Sequence, residues 1–263
     1  MPEMEGFEEG LPSWAELGSP NPDESASFYG ELLGLEVTDP DEEHGGYRLF
    51  MRHGRQVGGL MALQQEGQPP SWTSYINVAD ADEVADKVKD AHGEVIVEPM
   101  DVMELGRMAI FADSTGAVFG VWQPGEHKGA GVVGEPGSVA WHQCNTRDPD
   151  SALAFYRQVF GWESEKVDTG GTDYWQLSSD GATVGGLLRM GDDFPDEIPA
   201  HWIVYFAVHD LDAATEKARQ NGATVRAEPL HTEAGRLSVL TDPHGAAFAL
   251  IDQGAGSAAG AWD

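Results

Sequence analysis

The chain carries much of its own sequence twice. Displaced by 127 positions, Trp14 falls on Trp141, Pro22-Asp23 on Pro149-Asp150, Phe28-Tyr29 on Phe155-Tyr156 and Gly34 on Gly161, without a gap. Tyr47 then falls on Tyr174 and Gly58-Gly59 on Gly185-Gly186; at a displacement of 129, Gly106-Arg107, Asp113, Gly116-Ala117 and Phe119 meet Gly235-Arg236, Asp242, Gly245-Ala246 and Phe248. A chain repeated in this way folds as two copies of one supersecondary plan. Between the copies, seven of the fourteen residues from Pro124 to Gly137 are Gly or Pro, which reads as a linker. The expected layout is an acidic N-terminal extension (1–11), a first domain (12–123), the linker (124–137), a second domain (138–253) and a loose tail (254–263).

Within each copy the pattern predicts βαβββ twice. A strand at 13–17 leads to a helix that Asn21 or Asp23 caps, apolar at Phe28, Tyr29, Leu32 and Leu33 and stopped by Gly34. Strands near 35–38, 46–52 and 56–63 follow. The order restarts with a strand from Trp72 to Val78, a helix from Ala81 to His92, and strands near 94–98, 107–112 and 117–122. The second copy places strands at 139–144 and 202–208 and helices at 150–159 and 211–220. The expected class is α+β, with four βαβββ modules in two similar domains.

Composition narrows the partners. Lys plus Arg number 15 and Asp plus Glu 45, a formal charge of −30, which repels phosphate backbones and anionic headgroups. Nucleic acid and membrane are therefore not expected partners. The apolar runs fall far short of the ~20 residues that cross a bilayer, and the acidic start does not resemble a secretory signal. One cysteine, Cys144, leaves no internal disulfide framework and no cysteine-based zinc site. A cytoplasmic monomer or homodimer that takes a small molecule is the expectation.

The module order, the run "PDSALAFYRQVFGW" and the closing "DPHGAAFAL" resemble the vicinal oxygen chelate superfamily, which includes glyoxalase I, extradiol dioxygenases and bleomycin-resistance proteins, and within it the two-domain actinobacterial glyoxalase-like proteins. The resemblance implies curved mixed sheets whose concave faces hold the site. In that family's metalloenzymes it also implies a divalent metal chelated by side chains from several strands. Carried over position by position, the first ligand His would stand at Trp14 and Trp141, the second at Thr73 and Ile203, and the closing Glu at Gly120 and Ala249. None of these six supplies a ligand of the usual kind, so no metal cofactor is expected.

Strand residues two apart share a face. Glu16 thus joins Trp14, Gln143 joins Trp141, and Tyr75 and Tyr205 share the faces of Thr73 and Ile203, with His201 at a strand entry and Trp122 continuing the Gly120 face. Trp14, Trp122, Trp141, Gln143, His201 and Tyr205 are candidate ligand-binding residues, and Glu16 and Tyr75 the candidate catalytic pair. Aromatic walls with few polar groups are the usual make-up of a small-molecule site. His142 and Cys144 fall on the opposite face and read as core; His209, His231 and His244 read as loop residues. Arg107 and Arg236 are expected to fix turns through a carboxylate such as Asp113 or Asp242. The Gly-Gly pairs mark a bulge or a close backbone approach, not a phosphate cradle. Three functions stay open: a metal-independent lyase, isomerase or tailoring enzyme, a metabolite- or drug-sequestering protein, and a metal enzyme with non-standard ligands.

Overall fold

Each helix begins where a short polar side chain accepts from the free amides of a first turn. In the computed structural model, which describes residues 6–65, 67–232, 235–252 and 254, Asn21 caps α1 (Pro22–Leu33), Asp80 caps α2 (Ala81–Asp90), Asp148 caps α3 (Pro149–Phe160) and Asp210 caps α4 (Leu211–Gln220). Gly34 and Gly161 end α1 and α3 in the left-handed region. The first half adds β1 (Pro12–Ser19), β2 (Glu36–Val37), β3 (Arg48–Arg52), β4 (Arg55–Ala62), β5 (Ser71–Asn77), β6 (Glu94–Val102), β7 (Gly106–Ala112) and β8 (Val118–Pro124). The second half adds β9 (Val139–Thr146), β10 (Glu163–Asp168), β11 (Asp173–Ser179), β12 (Ala182–Arg189), β13 (His201–Ala207), β14 (Thr224–Thr232), β15 (Gly235–Thr241) and β16 (Ala247–Asp252).

Each half forms one mixed eight-stranded sheet, ordered β2-β3-β4-β1-β5-β8-β7-β6 and β10-β11-β12-β9-β13-β16-β15-β14. The modules of a half meet through the antiparallel pairs β1–β5 and β9–β13. The α+β class with two repeated domains is thus the observed one. Two details differ from the expected elements. β6 runs on to Val102 because register shifts between Val95 and Val97 and between Val97 and Met100 absorb Pro99. α2 stops at Asp90, and His92 turns the chain at φ 64. The tail expected at 254–263 lies outside the described residues except for Gly254.

The hydrophobic core does not respect the halves. One cluster joins Ile76, Val84, Phe111 and Phe119 to Phe155, Tyr156, Leu187 and Trp202; another joins Tyr29, Phe50 and Trp72 to Phe206, Leu240 and Phe248. The sheets therefore turn the same kind of face towards one another, with the buried sides of all four helices in these two clusters. Two polar relays cross the seam. Trp72 Nε1 donates to Tyr29 Oη, which donates to Asp242 Oδ2 at 3.1 Å. Trp202 Nε1 donates to Tyr156 Oη, which donates to Asp113 Oδ2 at 2.8 Å. Asp113 and Asp242 also accept from the amides of their own turns. They are therefore not the partners of the two arginines: Arg107 pairs with Asp82 and Asp101, and Arg236 with Asp212, holding helix starts to sheet edges. His142 and Cys144 are buried at this seam, His142 Nδ1 lying 2.7 Å from Ser74 Oγ.

Candidate functional site

The opposite face of the first sheet clusters with residues of its own half and of the linker, and that of the second with residues of its own half. On the first, Trp14, Tyr75 and Trp122 pack with Ala130 and Val133 of the linker, bordered by Phe7, Leu49, Met108 and Ile110. Register explains the grouping: Trp14 lies opposite Tyr75, and Tyr75 opposite Gly120. The sequence candidates Trp14, Glu16, Tyr75 and Trp122 are thus brought onto one surface. Trp141, Gln143, His201 and Tyr205 form a second group on the other sheet, so the eight do not make one site.

Glu16 is the chemical centre of the first group. Its Oε1 accepts from Tyr75 Oη at 3.1 Å and its Oε2 from Tyr47 Oη at 2.8 Å, while Tyr47 Oη accepts from Trp14 Nε1 at 3.2 Å. No arginine, lysine or histidine pairs with Glu16 among the described residues' ion pairs. Burial raises the Glu16 pKa, and the two phenols offset part of that shift. Burial and the neighbouring carboxylate push both phenols well above their ordinary value, so they stay protonated as donors. The array can take up a proton at Glu16 and hold an oxygen-bearing ligand against two phenols and indole faces.

Tyr47 was not among the sequence candidates, although it matched Tyr174 in the repeat. The Gly-Gly pair held the clue. A Cβ on Gly59 would stand 1.9 Å from Tyr47 Oη, and one on Gly186 1.8 Å from Tyr174 Oη. Each second glycine therefore clears the space for a phenol, and a Cβ on the first of each pair would stand 2.8 Å from the Ala15 carbonyl oxygen (Gly58) or 2.2 Å from that of His142 (Gly185). Gly59→Ala should expel the Tyr47 ring and destabilise the fold by roughly 1–3 kcal/mol, the usual cost of overpacking, measured by denaturant titration.

The linker contributes the other missed residue. His127 sets its ring edge-on to Trp14, centroids 4.5 Å apart, and its carbonyl accepts from Trp122 Nε1 at 2.9 Å. Burial lowers its pKa to about 4, so the ring is neutral at pH 7. The linker thus closes the Trp14–Trp122 end of the surface, whereas Glu16, Tyr47 and Thr73 keep some exposure.

The second group has exchanged its charge for amides. Gln143 stands where Glu16 does, but its Nε2 donates to Asn145 Oδ1 at 2.7 Å, and Asn145 Nδ2 donates to His201 Nε2 at 3.0 Å. The carbonyl of Pro199 fixes the His201 proton on Nδ1. Gly18 and Ser71 occupy the matching positions of β1 and β5, so the first half cannot build this ladder. Trp141 Nε1 still donates to Tyr174 Oη, and Tyr205 packs with Ile203, Ala249 and Ile251. Burial lowers the His201 pKa and raises those of Tyr174, to about 12, and Tyr205.

The residues at the ligand positions of the resembled metalloenzymes do not fit a metal. Trp14 has spent its N–H on Tyr47, and a Cβ on Gly120 would lie 2.4 Å from the Tyr75 ring, which fills the place of a closing carboxylate. No three His, Cys, Asp or Glu side chains converge among the described residues.

Comparison with known proteins agrees with this architecture. A family model described as the Glyoxalase/Bleomycin resistance protein/Dioxygenase superfamily matches residues 12–121 and 137–250. The chain is 39% identical over 266 residues to the anthracycline biosynthesis protein DauV of Streptomyces sp. (strain C5), with 95% of both chains covered. It is 37% identical over 258 residues to the putative glyoxylase CFP32 of Mycobacterium tuberculosis (strain CDC 1551 / Oshkosh), covering 95% of this chain and 98% of that one. Its fold is similar to those of the Mn(II)-bound glyoxalase from Novosphingobium aromaticivorans (TM-score 0.65, 16% identity, 94% and 83% covered) and the 2,3-dioxygenase LapB from Pseudomonas sp. KL28 (0.64, 15%, 94% and 93%). Among the described residues, no helix is long and apolar enough to cross a membrane.

Proposed function

Because the chain belongs to the Glyoxalase/Bleomycin resistance protein/Dioxygenase superfamily, we propose that it binds a small oxygenated aromatic metabolite on the Glu16 face, with Glu16 as proton acceptor and no divalent metal. The observation that carries this reading is a half-buried carboxylate that has no cationic partner among the described residues, held between two phenols beside an indole. A carboxyl whose pKa is raised by burial is a stronger proton acceptor than a solvated one. Tyr47 or Tyr75 would turn its hydroxyl from Glu16 to a ligand carbonyl or phenolate, and a ring entering on the partly exposed Glu16–Tyr47–Thr73 side would displace the linker to reach Trp14. The relatives named for anthracycline biosynthesis favour a ligand with fused, oxygen-rich rings.

A second reading is sequestration without chemistry, in which the linker residues His127, Ala130 and Val133, now packed on Trp14 and Trp122, would lift to cover a bound ligand. Native mass spectrometry with a hydroxylated anthraquinone as probe separates the two. One bound probe per chain is expected, with Trp14→Ala weakening it by about 5–150-fold, the equivalent of ~1–3 kcal/mol. A change in probe mass supports the enzyme and an unchanged mass the sequestering protein. No adduct, or full affinity in Trp14→Ala, would move the site elsewhere. Elemental analysis after dialysis should find far less than one Zn, Ni, Fe or Mn per chain; one tightly held ion would refute the metal-free reading.

A further inference from the structure

Duplication provides each surface feature with an internal control, and at one junction the two copies differ in an informative way. Where the β15–β16 turn of the second half meets the start of α1, the His244 ring is largely buried, with Nε2 3.2 Å from Glu24 Oε2, within ion-pair distance though outside hydrogen-bond geometry. The β4–β5 loop closes over this junction, Pro70 Cγ lying 3.8 Å from a Cβ position on Gly245. In the repeat, Thr115 replaces His244 and Ser151 replaces Glu24. At that matching junction, between the β7–β8 turn, the start of α3 and the β12–β13 loop, the space is open. It is a cleft of about 280 Å³ lined by Ser114, Thr115, Thr146, Arg147, Asp148 and Asp196, with Ile198–Ala200 as its apolar wall.

The lining is rich in acceptors. Thr115 Oγ1 spends its proton on Asp113 Oδ1, and Ser114 Oγ lies 2.8 Å from Ser151 Oγ and 3.2 Å from its carbonyl. Thr146 Oγ1 accepts from the Asp148 amide. Arg147 is turned to the loop, its Nη2 donating to the carbonyls of Phe194 and Pro195. Asp148 Oδ1 caps Ser151, and Asp196 is exposed on the loop. Two carboxylates and several hydroxyl lone pairs thus face a space that, in the other copy, holds an imidazole beside a carboxylate.

We propose that this cleft is a second binding site, separate from the Glu16 face, for a small organic nitrogen base carrying an imidazole ring or a primary ammonium, seated where the His244 ring sits in the other copy. The volume suits a ligand at the small end of the usual range, and the chain's charge of −30 favours a cation. Its wall includes Pro199, whose carbonyl orients His201, so occupancy would be felt at the amide ladder of the second sheet.

The test uses the full chain and histamine, followed by calorimetry and by amide chemical shifts. Saturable one-to-one binding in the millimolar range is expected, with shifts concentrated at Ser114, Thr115 and Asp196–Ala200. Rebuilding the closed junction with Thr115→His and Ser151→Glu together should weaken binding at least tenfold. Asp196→Asn, at an exposed loop position where folding is not at stake, should weaken it several-fold. No saturation by 10 mM histamine, shifts confined to the Glu16 face, or full affinity in Asp196→Asn would overturn the proposal.

Discussion

Asp113→Ala is expected to lower stability by roughly 4 kcal/mol and the melting temperature by about 10 °C. The carboxylate accepts from Tyr156 Oη, from the amides of Thr115 and Ala117 and from Thr115 Oγ1, all at 3.0 Å or less. Removing it strands the buried Tyr156 hydroxyl and the Ala117 amide, each worth about 1–3 kcal/mol when left without a partner, and a chain of this size loses about 2–4 °C per kcal/mol. Because Tyr156 belongs to the other half, the loss falls on the seam, and Asp242→Ala should match it through Tyr29. Asp113→Asn keeps an acceptor and should cost less. Urea titration reads the difference; a midpoint equal to that of Asp193→Ala, on the exposed β12–β13 loop, would show that the relay contributes nothing.

Glu16→Gln should lower turnover of any processed ligand by about 10²–10⁴-fold, the contribution of one positioned proton acceptor, with affinity largely kept because the amide oxygen still accepts from one phenol and its NH2 can donate to the other phenol's oxygen. The same substitution has a signature independent of ligand. Burial holds the Glu16 pKa above its ordinary 4.5, so the folded chain takes up this proton more readily than the unfolded one. That contribution to stability is complete below pH 4.5 and is lost as pH rises through the raised value. Glu16→Gln should therefore melt higher than the parent at pH 7, the gap narrowing towards pH 4. A gap that does not change with pH would mean that the carboxyl is not held in its protonated form by the fold.

The repeat made the sheets and helices legible, since Pro22-Asp23, Gly34 and the Tyr pairs recur at fixed displacement, with Asp148 taking the cap position of Asn21. Alternation placed Trp14, Glu16 and Tyr75 on a common face because a strand has period two. It did not show that Tyr47 would reach that face, since Tyr47 lies in the approach to β3 and enters only through the space Gly59 leaves. His127 was hidden for a different reason. A segment half Gly and Pro reads as a spacer, and nothing in its local pattern shows that it lies against two indoles. The arginine partners were misjudged because Asp113 and Asp242, adjacent in pattern, were already taken by backbone amides and phenols from the opposite half.

The seam between the sheets has a consequence for how such a chain can be taken apart. With Phe119 packed on Tyr156 and Tyr29 on Phe248, neither copy encloses its own oil, and each stands to the other as a protomer stands to its mate in an obligate dimer. The covalent bridge from Pro124 to Gly137 fixes stoichiometry and keeps the mate always at hand, an effective-concentration device. It also frees the copies from symmetry: a true homodimer would repeat every substitution on both sides, whereas fusion lets Glu16 persist in one copy while Gln143 replaces it in the other.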